Sequence, residues 1–314
     1  MLDRQTHDIM GHKRGSVRRS VFIGGSMGKA VEVVPNGGLG NQMFQYALGG
    51  CMSIRLGLPL VLHISESSVG WPDPFDLPCF RLSNHQVRNW PVSLFHSRMR
   101  WLSRLASWGI GATRVVEEVS LQFSPDVLGV DGPSLLAGSW QSERYFDSIS
   151  DQLREDFMIV TAQDARSAEC QTRIRGVKSI GLHVRRGDYV TLPACNAFHG
   201  TCSKDYYDAA LRLILSRLDQ DVELFVFSND MKWARENIQY ALPTTYVDWN
   251  QDRSYEDMRL MSSCRALIMA NSSFSWWAGW LNARPDKLVV APRQWYRAPG
   301  AVSDLPLSPW LVAI

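Results

Sequence analysis

The sequence predicts an α/β protein with two Rossmann-like, doubly wound domains. Three observations lead there. The first is a strand–loop–helix–strand unit near the amino end. AVEVV (30–34) is short and β-branched, PNGGLG forms a loop, and 41–57 reads as a helix with Phe44, Leu48, Met52 and Leu56 four residues apart. LPLVLHI (58–64) then returns as a second strand, and a βαβ unit implies parallel pairing. The second observation is a later alternation. Strands are expected at 179–184, 222–228, 244–249, 266–271 and 287–291, with helices at 203–218, 231–238, 254–264 and 273–282 between them. The third is length: 314 residues is about where a single core stops growing. The expected division is an extension at 1–29, a first α/β domain at 30–160 and a second α/β domain at 161–314.

Composition narrows the function classes. Hydrophobic residues make up 45% and charged residues 20%, as in ordinary globular proteins. The formal net charge of +2 gives no ground for a nucleic-acid partner, which needs a concentrated basic face. Six cysteines are scattered without a CxxC pair and read as reduced thiols of a cytoplasmic protein; Cys195 and Cys202 are the one pair close enough in sequence to consider as a bridge. No apolar run approaches the ~18 residues of a membrane span. Residues 1–30 carry six basic and two acidic side chains, and Met27, just before the first strand, is a candidate start. Between Arg88 and Arg114 five arginines and no acid are interleaved with Trp90, Phe95, Trp101 and Trp108. That stretch reads either as peripheral contact with an anionic membrane or, preferred, as a helix with a solvated basic face.

In parallel sheets ligands sit beyond the carboxyl ends of strands, so the residues following each strand are the candidates. After 179–184 comes RRGDY. Alternation puts Gly181, His183 and Arg185 on one side, with Gly181 leaving room for a ligand and Arg185 offering its planar fork to a phosphate. Arg186 is expected to point elsewhere, toward Asp188. The competing reading is a surface ion-pair cluster. After 266–271 come Ser272, Ser273 and Phe274, at a helix start suited to simple capping or to phosphate binding. Asp230, after 222–228, either starts a helix or accepts hydrogen bonds from a guanine edge. In PNGGLGNQ, Gly38 and Gly40 permit unusual backbone angles or close approach to a ligand, and Asn41 caps the helix or binds substrate. The one Asp-x-Asp triplet, 219–221, lies at the wrong end of a strand for metal binding and reads as a turn. Nothing in the sequence calls for a metal.

Taken together, GGLGNQMFQYA (37–47), GSWQSERYF (138–146), HVRRGDY (183–189), HGTCSKDYY (199–207), FSND (227–230), YEDMRLMSSC (255–264), ANSSFSWWAGWLN (270–282) and APRQWY (291–296) resemble the bacterial α-1,2-fucosyltransferases of glycosyltransferase family 11. The blocks occur in the family's order and cover most of 31–296. The resemblance implies a two-domain GT-B fold and GDP-L-fucose as donor, with no cofactor and no metal. It implies inverting transfer to the 2-hydroxyl of a terminal galactose on an oligosaccharide or lipid-linked glycan. By motif, Arg185 would bind the diphosphate, with His183 and Arg186 in support. Asp230 would read the guanine, and Ser272, Ser273 and Phe274 would line the phosphate and ribose pocket. Asn41 matches a GNQ asparagine that faces the reacting centre in protein O-fucosyltransferases. Two features depart from the pattern: the extension is longer than in typical bacterial members, and the membrane anchor of animal relatives has no counterpart. A bacterial cytoplasmic enzyme, at most peripheral to the inner face of the membrane, is therefore expected.

The general base is left open between Asp188 as base and Asp188 as an orienting partner for Arg186. The alternative functions are a fucosyltransferase of α-1,3 or α-1,6 linkage and a non-catalytic carbohydrate-binding module.

Overall fold

The computed structural model describes residues 29–64, 74–83, 85–89, 114–218 and 221–314. The expected extension up to residue 28, most of the basic aromatic stretch at 88–114, and Asp219 and Gln220 of the Asp-x-Asp triplet lie outside the described residues.

Two parallel sheets organise the chain. The first takes strands β1 (Val31–Val33), β2 (Leu60–Ile64), β3 (His85–Asn89), β4 (Arg114–Glu117) and β5 (Ser134–Ala137) in the order β3-β2-β1-β5-β4. Helix α1 (Leu39–Leu56) connects β1 to β2, and α2 (Pro125–Leu128) precedes β5. Helices α3 (Ser150–Asp156) and α4 (Ala165–Gly176) lead to the second sheet. Its strands are β6 (Lys178–Val184), β7 (Val222–Ser228), β8 (Thr244–Val247), β9 (Ala266–Ile268), β10 (Leu288–Ala291) and β11 (Val312–Ala313), in the order β11-β10-β9-β6-β7-β8. The helices of this half are α5 (Gly187–Thr191), α6 (Pro193–His199), α7 (Lys204–Leu215), α8 (Met231–Asn237), α9 (Ser254–Ser263) and α10 (Ser273–Leu281).

Each sheet has one point where the strand order reverses. In the first it lies between β1 and β5, in the second between β6 and β9. Ligands of open α/β sheets bind at such points, beyond the carboxyl ends of the strands. The segments leaving these strand ends are 34–41, 138–141, 185–188 and 269–274, and they meet in one cleft.

Strand alternation holds through the second sheet. Ile180, Leu182 and Val184, with Leu224 and Val226, pack against Tyr207, Ala210, Leu211 and Ile214 of α7. Phe225, Phe227 and Leu267 face the opposite way, into a core shared with the first sheet. In that shared core Val31, Leu62, Phe44 and Leu48 belong to the same cluster as Trp276, Trp277, Trp280 and Ala291. Trp276 and Trp280, about one turn apart on α10, are core residues. Trp277, on another face of α10, is fully buried as well, stacked on Phe146 with centroids 5.3 Å apart. Its Nε1 donates to the Gly40 carbonyl at 3.0 Å, joining the two halves. Trp277→Phe removes this bond and some volume, with an expected cost of about 1–3 kcal/mol. A lower urea midpoint at unchanged m-value would report it.

Among the described residues no helix is long and apolar enough to cross a membrane. All six cysteines, Cys195 and Cys202 included, are free.

Candidate active site

The amino-terminal wall of the cleft is the turn 37–41. Gly37 adopts φ +69°, the left-handed region that favours glycine. Gly38, with φ −64°, precedes α1, and its carbonyl accepts from Asn41 N at 2.9 Å. Gly40 is the close approach. A β-carbon there would lie 2.5 Å from Phe274 N and 2.6 Å from the Ser273 carbonyl carbon, so the first turn of α1 sits directly on the first turn of α10. Asn41 Oδ1 receives the Ser273 hydroxyl at 2.7 Å and Gln141 Nε2 at 2.8 Å. Ser272 caps α10, its Oγ accepting from Phe274 N at 3.3 Å. Capping is thus realised at Ser272, while Ser273 spends its hydroxyl on the opposite half.

The turn that carries Gln141 is strained. Trp140 stands at φ +56°, unusual for a bulky residue. Glu118 holds it there by accepting from Ser139 N (2.7 Å) and Trp140 N (2.8 Å). Burial holds the Glu118 carboxyl above its ordinary range, and the two N–H donors oppose that rise. Gln141 Oε1 accepts from the Tyr296 hydroxyl at 3.2 Å, which extends the polar chain Ser273–Asn41–Gln141 to the second sheet's last loop. Beside it a cavity of about 280 Å³ opens at the ends of β1, β4 and β5, lined by Asn36, Glu117, Glu118 and Gly138 among others.

The carboxyl-terminal wall is the end of β6. His183 is 5% exposed, its ring centroid 5.6 Å from that of Phe274. Burial, reinforced by the adjacent Arg185 charge, pushes its imidazole down to about 3, so the ring is neutral. Among the described residues its buried Nδ1 has no hydrogen-bond partner, and neither has the buried Arg185 Nε. Arg185 Nη2 pairs with Asp188 at 2.9 Å and 3.0 Å to the two carboxylate oxygens.

Two expectations about this wall need correction. Arg186 does not pair with Asp188. The chain turns at Arg186 (φ −137°, ψ −67°) into α5, which brings Asp188 back one turn onto Arg185. Arg186 is swung toward β7, where Nε meets Asp230 Oδ2 at 3.3 Å and the guanidinium covers the Trp233 ring at 4.2 Å. Asp188 therefore orients Arg185, not Arg186. Gly181 does not clear space for a ligand: a β-carbon there would stand 3.1 Å from both Cys264 Sγ and Leu267 Cδ1, so its smallness admits α9 and β9. Asp230 stands at the start of α8, its Oδ1 accepting from Trp233 N at 3.1 Å while its Oδ2 meets Arg186 Nε at 3.3 Å.

The structure thus unites Gly40, Asn41, Ser273, Phe274 and His183 closely. Arg185 and Asp188 follow at the end of β6, and Arg186 and Asp230 lie farther along toward β7. Gln141, Glu118, Tyr189, His199 and Tyr296 also line the region. The sequence reading gives them no role, although all but Glu118 fall inside the motif blocks of the family resemblance, and membership of GSWQSERYF is the signal for Gln141.

Two parallel α/β halves whose switch points face each other, with Arg185 on one side and Asn41 on the other, have the architecture of the GT-B class. The sequence model of Glycosyl transferase family 11 matches residues 23–310, and the chain belongs to that family. It is 32% identical to an α-1,2-colitosyltransferase of Escherichia coli over 273 residues, spanning 83% of this chain and 90% of that protein. It is 46% identical to the O-antigen biosynthesis glycosyltransferase WbnK of Escherichia coli over 132 residues, 41% of this chain and 43% of that one. It is 26% identical to galactoside α-(1,2)-fucosyltransferase 1 of Alouatta belzebul, over 82% of this chain and 67% of that protein. Among solved structures, Arabidopsis thaliana FUT1, in complex with GDP, aligns with TM-score 0.50 at 12% identity, covering 87% of this chain and 73% of that one.

Proposed function

We propose that the protein transfers L-fucose from GDP-L-fucose, with inversion and without a metal, to the 2-hydroxyl of a terminal β-galactoside. The observation that carries the reading is the pair of buried polar atoms at the end of β6, His183 Nδ1 and Arg185 Nε, that have no hydrogen-bond partner among the described residues, with the His183 ring 5.6 Å from that of Phe274 in the first turn of α10. Buried polar groups without partners are rare, and at a strand end they suit a ligand that is itself rich in acceptors. Arg185 and the start of α10 supply the positive potential that a leaving diphosphate needs. Arg186 and Asp230 form the outer part of the nucleotide site. Asn41 faces the reacting centre, and the cavity beside Glu117 and Glu118 receives the acceptor, since carboxylates accept hydrogen bonds from sugar hydroxyls. The α-1,2 linkage is favoured because the names of relatives that carry different sugars share it.

The test is incubation with GDP-L-fucose and a panel of β-galactosides, the product linkage being read by NMR. The expected product carries α-1,2-linked fucose. Transfer to another hydroxyl would overturn the linkage, and no transfer to any acceptor would overturn the function. A second donor, colitose, is favoured by the 32% identical relative, and nucleotide-linked colitose belongs in the same panel.

A further inference from the structure

One titratable side chain in the cleft has no part in the assignments above. His199 ends α6. Its imidazole stacks on Tyr189, centroids 4.5 Å apart and planes 9° from parallel, and Phe198 meets it at right angles at 4.9 Å. The Tyr296 ring lies 5.6 Å away. The residue is anchored through its backbone, its carbonyl accepting from Asn271 Nδ2 at 3.0 Å. Among the described residues neither ring nitrogen has a hydrogen-bond partner. Stacking on Tyr189 fixes the imidazole by its face and leaves the nitrogens at the ring edge to other partners.

Its position connects the two walls. Tyr189, beneath it, lies under the Arg185 guanidinium at 5.2 Å. Tyr296, beside it, donates to Gln141, whose amide donates to Asn41. His199 therefore stands between the phosphate clamp and the polar chain that ends at Asn41. The charged and titratable groups around it are Arg185, Asp188 and Tyr189 from the β6–α5 segment, and Tyr296 and Arg297 from the loop after β10. Cys195 of its own helix and Cys202 just beyond it lie near Tyr189. Burial lowers the imidazole's affinity for a proton below the ordinary value; Asp188 opposes this and Arg185 reinforces it. The neutral, proton-accepting form is thus the one present near neutral pH. Asp188, in contrast, already shares both oxygens with Arg185, and a proton on it would weaken the clamp.

We propose that His199 is the general base of the transfer, accepting the proton of the attacking acceptor hydroxyl on a ring nitrogen; this rests on the glycosyl-transfer function above. The acceptor oxygen supplies the electron pair of the new bond to the anomeric carbon. The bond from that carbon to the phosphate oxygen breaks, and its electron pair departs with the nucleoside diphosphate. The hydroxyl proton passes to His199 and then to solvent.

The experiment compares wild type with His199→Gln in kcat against pH, in the solvent deuterium isotope effect on kcat, and in affinity for GDP. Wild type is expected to lose activity in a single-proton acid limb, since the base must be neutral, with a midpoint below the ordinary histidine value. His199→Gln is expected to lower kcat by roughly 10²–10⁴-fold, to lose the acid limb and the isotope effect, and to bind GDP as wild type does. Unchanged GDP binding excludes misfolding as the cause. An acid limb that persists in His199→Gln, or a kcat within about tenfold of wild type, would overturn the assignment and leave the transfer function standing. Wild-type protein that transfers no sugar would remove both.

Discussion

Arg185→Ala is expected to lower the rate of sugar transfer by two or more orders of magnitude while barely changing stability. The guanidinium is positioned at its Nη2 by Asp188, its buried Nε has no partner among the described residues, and it closes over Tyr189. A donor placed at developing charge contributes roughly 3–4 kcal/mol to a transition state, which is the origin of the predicted rate loss. The ion pair itself is partly exposed, at 30% and 37% for the two side chains, so its removal costs the fold about 0–1 kcal/mol. Lysine at this position restores charge without the planar fork and should recover only part of the rate. Steady-state kinetics at saturating donor, paired with a thermal melt, separate the two effects. An equal fall in kcat and kcat/KM would mark an interaction made in the transition state alone. A variant with near-normal turnover would refute the clamp.

Gly40→Ala is expected to abolish detectable transfer and to destabilise the protein. The added methyl would meet backbone atoms of Ser273 and Phe274 at 2.5–2.8 Å, and backbone on both sides cannot swing away as a side chain does. The two helix starts must separate, which stretches the Trp277–Gly40 and Ser273–Asn41 hydrogen bonds together. Overpacking of this type costs roughly 1–3 kcal/mol, occasionally more. The kinetic effect should be larger than that figure suggests, because a displacement of about 1 Å between reacting groups can cost 10²-fold in rate. Gly38→Ala is the control. Gly38 has φ −64° and ψ 168°, a backbone conformation that alanine adopts without strain. Activity in Gly40→Ala comparable to that of Gly38→Ala would show that the close contact is not needed.

Much of the fold was legible because its signals are local. The hydrophobic runs of β2, β6, β7 and β10 and the periodicity of α1 and α7 were located to within a few residues. The strands missed were those with little local signal. His85–Asn89 and Arg114–Glu117 are edge strands with polar or half-exposed side chains, Ser134–Ala137 has four residues, and Val312–Ala313 has two. Their identity as strands comes from the backbone of a neighbour, which no window of sequence contains.

The sequence by itself determined the α/β class, the strand ends to inspect and the residues Asn41, Arg185, Ser273 and Asp230 to inspect there, since periodicity and motif spacing lie along the chain. The tertiary structure alone decided how those residues are partnered. Arg185 rather than Arg186 takes Asp188 because the backbone turns at Arg186. Gly181 makes room for Cys264 rather than a ligand because α9 packs there, and Gly40 is small because α10, more than two hundred residues later, docks on it. These choices depend on distances between chain segments that only folding brings together, and the proposed phosphate clamp at Arg185, the pairing of Asp188 with it and the proposed base at His199 are all set by them.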